Sequence, residues 1–130
     1  MNLTLTLLAE TFTLHRFNAK AEIPTAVSRS PFFAITRTGD ELSLVLPDSA
    51  EIESEKSDAG WACFKVEGPL GFELVGVLAG IAGALAGAGV PIFALSTFDT
   101  DYILVKREQT QAAEGALRSA GYQIRRERTF

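Results

Sequence analysis

A chain of 130 residues with 47% hydrophobic and 22% charged side chains has the composition of a folded protein, not of a disordered tail. Its net charge is −4, from 12 basic and 16 acidic side chains, and no basic cluster exceeds Arg125, Arg126 and Arg128. That argues against a nucleic-acid-binding surface, which must neutralise phosphates. A single cysteine, Cys63, excludes an intramolecular disulfide and fits a reducing, cytoplasmic setting.

Met1-Asn2-Leu3-Thr4 lacks the basic n-region of a signal peptide, and the alternation from Leu3 to Leu8 predicts a strand. A second strand is expected from Phe12 to Phe17. Residues 19–30 contain Pro24 and read as loop with at most one helical turn. A hairpin follows at about 32–37 and 41–46 around Thr38-Gly39-Asp40. Residues 47–60 are polar and Ser-rich, the composition of a linker. Trp61 to Val66 predicts a strand with Ala62, Phe64 and Val66 on one face. A turn at Glu67-Gly68-Pro69-Leu70-Gly71 leads into a helix over about 72–88. Strands at 92–97 and 101–106, a helix over about 108–120 ended by Gly121, and a strand at 122–127 complete the order. That order, βαββαβ, is the split βαβ unit: a four-stranded antiparallel sheet with two helices on one face.

The run from Leu74 to Leu95 carries no charge and is long enough to span a bilayer. It is mostly Ala and Gly, however, and Pro91 divides it. A helix followed by a buried strand explains it, and no membrane span is expected. Within the helix, Leu74, Leu78, Ile81 and Leu85 form one narrow stripe for packing on the sheet. Gly76, Gly80, Gly83 and Gly87 line the opposite face, a spacing that suits a close helix contact within the chain or with a second copy.

Residues 31–45 and 91–105 align without a gap at an offset of 60 residues. Pro31/Pro91, Phe33/Phe93, Ala34/Ala94, Leu44/Leu104 and Val45/Val105 are identical pairs. The alignment predicts a duplication, with an abbreviated first unit at 1–60 and a complete one at 61–130.

The residues from Phe64 to Val105 resemble ACT domains. Gly68-Pro69-Leu70-Gly71 opening a helix, Gly89-Val90-Pro91-Ile92 entering a strand, and Leu95-Ser96-Thr97-Phe98-Asp99-Thr100-Asp101-Tyr102 carry the likeness. They are similar to the subtype of aspartate-kinase regulatory regions and the CASTOR arginine sensors. The resemblance implies an α+β fold of two tandem ferredoxin-like, ACT-like units with antiparallel sheets. It also implies a homodimer that binds an amino acid in a regulatory role, without catalysis. The implied ligand-binding residues are Gly68, Pro69, Leu70, Gly71, Phe72, Glu73, Ser96, Thr97, Phe98, Asp99 and Asp101. Backbone N–H groups at a helix start suit a carboxylate. Asp99 and Asp101 suit an ammonium or guanidinium group. The alternative is an ACT-like structural or oligomerisation module that has lost its ligand.

Chemistry of other kinds finds little footing. His15 is the only histidine, and Cys63 stands on a strand with no orienting partner evident. No metal-ligand spacing, phosphate loop or nucleophile elbow occurs, and no cofactor is expected.

Overall fold

A computed structural model describes residues 3–68 and 75–128. The chain divides into two compact units, one of residues 10–61 and one joining 62–128 to residues 3–9. Strand β1, Thr4–Phe17, and strand β4, Lys56–Val66, each contribute one end to each unit.

The unit of residues 10–61 is a sheet in the order β2-β3-β1-β4, with β2 at Ala34–Arg37 and β3 at Leu42–Pro47. β1 runs antiparallel to β3, with His15 opposite Leu44 and Phe17 opposite Leu42. Leu42, Leu44 and Leu46 therefore share a face with Thr13, His15 and Phe17. They form a small core with Val27 from a 3-10 turn at Thr25–Arg29, and Phe17, Ala21, Ala50 and Ile52 pack against it. Phe12 and Phe32 meet elsewhere in the unit, with ring centroids 4.8 Å apart. Asp48 ties three segments together. Its carboxylate accepts from Thr11 Oγ1 at 2.5 Å, Thr13 Oγ1 at 2.6 Å and the Gly60 amide at 3.3 Å.

The other unit has the expected βαββαβ order: β4, α1 (Val77–Gly87), β5 (Phe93–Ser96), β6 (Asp101–Lys106), α2 (Thr110–Ser119) and β7 (Gln123–Arg126). Val77, Ile81 and Leu85 of α1 and Ala113 and Leu117 of α2 pack on Ala62, Phe64, Val66, Ile103 and Val105. Leu78 lies at the margin of that core, and Leu74 lies outside the described residues. Gly121, with φ of 99°, turns the chain out of α2 in the left-handed region.

The sheet departs from the expected four antiparallel strands. Its order is β7-β1-β4-β6-β5, and residues 4–7 of β1 run parallel to β7. Burial explains the insertion. Leu5 and Leu7 alternate onto the helix side, where they join the core and are 0% and 8% exposed. The two strands expected in residues 3–17 are thus one strand of 14 residues.

The glycines of α1 do not act as one stripe. Gly76 precedes the helix with φ of 80°. A Cβ at Gly80 would lie 2.8 Å from the Tyr122 hydroxyl, so that position packs within the unit. Gly83 and Gly87 face open space. α1 has 11 residues, and no helix among the described residues is long and apolar enough to cross a membrane.

Each repeated segment forms an antiparallel hairpin with a four-residue loop. Thr38 N–H donates to Glu41 O at 2.9 Å in one, and Thr97 N–H to Thr100 O at 2.8 Å in the other. The two loop-opening threonines stand 59 residues apart, one short of the 60-residue offset, so the hairpins turn one residue out of phase with the sequence alignment.

Candidate functional site

The candidate site lies where β4 ends beside the β5–β6 hairpin. β4 and β6 are neighbours in the sheet, which sets the 97–100 loop next to the chain leaving β4. Thr100 makes the connection. It is 6% exposed, and its Oγ1 donates to Val66 O at 2.6 Å. The loop is closed on itself by Thr97 N–H to Thr100 O, by Thr97 Oγ1 to Thr100 O at 3.1 Å, and by Thr100 N–H to Thr97 Oγ1 at 3.2 Å.

The residues expected from sequence at 96–99 and 101 lie on this loop and on the strand ends that flank it. Ser96, at the end of β5, donates from Oγ to Asp101 Oδ1 at 2.6 Å. Asp99 and Thr97 are exposed, and Phe98 is 80% exposed. Gly68 is exposed at the bend after β4. Pro69, Leu70, Gly71, Phe72 and Glu73 lie outside the described residues. Gly68 and Ser96–Asp101 therefore belong to one end of one sheet. The sequence reading omits Thr100, which holds them together. Its sequence signal is slight: a β-branched hydroxyl at the last loop position, directly before a strand.

On the other side of β4, Glu67 is fixed by backbone and side chain. Its N–H donates to Thr4 O at 2.9 Å. Its Oε1 accepts from Thr6 Oγ1 and pairs with Arg125 at 3.2 Å. Thr6 and Arg125 are register partners on β1 and β7, so the three side chains form a row across the sheet. The Thr6 hydroxyl above all, with Arg125 and nearby Lys65, holds the Glu67 carboxyl below the usual carboxylate range, against a smaller opposing effect of burial.

Neither His15 nor Cys63 has the setting of a catalytic group. Burial, with Glu127 nearby, pushes the Cys63 thiol up to about 12, so it stays protonated at neutral pH. His15 is buried, with Nδ1 2.8 Å from Ser54 Oγ. Ser54 Oγ donates its hydrogen to Lys56 O at 3.0 Å. Among the described residues the buried Nε2 has no hydrogen-bond partner. Among the described residues no group of three His, Cys, Asp or Glu side chains could hold a metal ion.

A βαββαβ unit with a polar hairpin bonded to the end of its first strand, and a further strand inserted in its sheet, places the protein in the α+β class. Residues 56–119 belong to the ACT-domain family, whose model matches them. Residues 10–50 match a separate N-terminal domain family. The chain is 34% identical over 89 residues to mouse cytosolic arginine sensor for mTORC1 subunit 1. That match takes in 61% of the chain and spans only 26% of the length of the mouse protein. The crystal structure of protein Atu0741 from Agobacterium tumefaciens is similar over nearly the whole chain. It has a TM-score of 0.91 and 32% identity, covering 99% of this chain and 96% of that one. Aspartate kinase of Clostridium acetobutylicum shares the fold at a TM-score of 0.66 and 15% identity, over 86% of this chain and 33% of that chain.

Proposed function

We propose that the chain is an amino-acid-binding regulatory module without catalytic activity, built from two ACT-like units of which the first is abbreviated, and working as a cytoplasmic homodimer. Residues 68–73 and 96–101 are its ligand-facing segments. One observation carries the reading: the ACT match encloses both segments, and Thr100 bonds the second to the strand that leads into the first. The start of α1 supplies the complementary chemistry. Its N-cap residue, Gly76, has no side chain to cap it, and first-turn N–H groups with the positive end of the helix dipole suit a carboxylate. Ser96, Asp99 and Asp101 supply acceptors for the ligand's cationic group. The name of the mouse relative makes arginine the first compound to try.

The test is a thermal-shift screen of the twenty amino acids at millimolar concentration. A ligand that binds only the folded state at 100 times its Kd adds about 2.7 kcal/mol. At least one amino acid should therefore raise the melting temperature by several degrees, and Asp99→Ala with Asp101→Ala should abolish the shift. A flat response to all twenty refutes the reading and favours a module that keeps the fold without a ligand.

A further inference from the structure

The two hairpins of the repeat close by the same local device and are anchored by different ones. In the first, Thr38 Oγ1 accepts from the Asp40 and Glu41 amides at 3.1 and 3.2 Å, and Thr38 N–H donates to Glu41 O. In the second, Thr97 Oγ1 accepts from the Thr100 amide, and Thr97 N–H donates to Thr100 O. Each loop therefore holds its own shape, and the Thr100 hydroxyl is not needed for that. Each loop also opens into a strand beside the one it is anchored to: β3 beside β1, and β6 beside β4. The first anchor is Arg16 of β1, which reaches Asp40 O at 3.3 Å, pairs with Glu55 and is 39% exposed. The second is the Thr100 hydroxyl on Val66 O, 2.6 Å long and made by a residue that is 6% exposed. A long, solvated arginine holds a loop loosely. A short hydroxyl bond away from water holds it in one place. The loop with the rigid anchor is the one that carries residues of the proposed site.

We infer that Thr100 is a positioning residue for ligand binding: through Val66 O it holds Asp99 and Asp101 in one place against the end of β4, so these acceptors need no ordering when the ligand's cationic group arrives. The inference rests on the amino-acid-binding reading above and adds to it the residue that sets its geometry. Thr100 is buried with its hydroxyl committed to Val66, so it acts through its neighbours and is not itself a ligand contact. Groups fixed in advance favour binding, because the freedom they would otherwise lose has already been removed in folding.

The test is isothermal titration calorimetry of the intact protein with whichever of the twenty amino acids stabilises wild type most. Thr100→Val keeps the shape and removes the hydroxyl. It should weaken binding about three- to tenfold, the scale of ordering one or two groups at an interface. Thr100→Ser keeps the hydroxyl and should bind like wild type. Val27→Ala, in the core of residues 10–61, loses stability by a cavity and should also bind like wild type. A merely structural Thr100 would lower the urea midpoint of Thr100→Val, as the cavity does for Val27→Ala, and leave the affinity of the folded protein untouched. Wild-type affinity in Thr100→Val therefore overturns the inference while leaving the amino-acid reading intact. Equal losses of affinity in Thr100→Val and Val27→Ala overturn it as well, and so do equal losses in Thr100→Val and Thr100→Ser. If Thr100→Val fails to fold, hydrogen exchange of the ligand-free wild type decides. Amides 97–101 should exchange more slowly than amides 38–42, and equal or faster exchange sinks the idea. Absence of any amino-acid binding by wild type removes the inference and the reading it rests on together.

Discussion

Replacing Gly83 by alanine tests whether the outer face of α1 is open. Glycine in a helix interior is about 1 kcal/mol less favourable than alanine, because it loses more backbone freedom on folding. At Gly83 a Cβ would meet nothing within 4 Å, and the backbone is not in the left-handed region. The whole propensity gain should therefore appear: about 1 kcal/mol, or roughly 3–5 °C in melting temperature for a chain of this size. At Gly80 the same gain is opposed by the Tyr122 hydroxyl, 2.8 Å from the new methyl, so Gly80→Ala should gain less than Gly83→Ala or lose stability. Urea unfolding followed by circular dichroism gives both differences, and sedimentation velocity reports assembly. A Gly83→Ala protein that is less stable than wild type, or that sediments differently, refutes the reasoning and makes that face an interface.

Two further predictions concern buried polar groups. Burial holds the His15 pKa below its ordinary value of 6.5. The unfolded chain therefore takes up a proton that the folded one resists, and the stability due to neutral His15 is fully present above about 6.5 and lost as pH falls toward the lowered value. Urea midpoints should decline between pH 8 and pH 5.5, and His15→Phe should flatten that decline; an unchanged slope in the variant removes His15 as the cause. Thr100→Val strands the buried Val66 carbonyl and should cost about 1–3 kcal/mol, while Thr100→Ser, which keeps the hydroxyl, should recover most of it. Equal losses in the two variants would assign the effect to packing of the methyl group.

The residues that follow one period were legible in the sequence. Ile81 and Leu85 of the expected helical stripe are buried, and so are Ala62, Phe64 and Val66 of the expected sheet face, so α1 and β4 could be located from pattern. However, α1 starts at Val77, later than expected, and Val77 takes the core position assigned to Leu78. Strand β1 was not legible, because Ala9 and Glu10, exposed in its middle, interrupt the apolar alternation and read as a break. Its insertion between β7 and β4 was beyond reach for a different reason: strand order is set by packing among distant segments, and nothing local in Leu5 or Leu7 specifies Ile124 as a neighbour. β4 begins at Lys56, five residues before the apolar pattern at Trp61, since its first residues are exposed on both faces. At the candidate site, residue type drew attention to Ser96 and Asp101, which the structure joins by a hydrogen bond. Thr100 and Thr6 act through single hydroxyls whose acceptors lie 34 and 61 residues away, and such pairings leave no trace in spacing.

The parallel pairing of β1 with β7 joins Thr4 to Gln123 and Leu7 to Arg126, nearly the full length of the chain apart. During synthesis the first strand leaves the ribosome long before its neighbour exists. Residues 10–61 contain their own core and can close early, and β4 can then pair with β1, but the other edge of β1 stays open until residues 123–126 emerge. Contacts this remote in sequence also slow folding, since the loop they close must be ordered before they contribute. Between the emergence of Leu7 and that of Arg126, β1 is an edge strand whose outer N–H and C=O groups await β7.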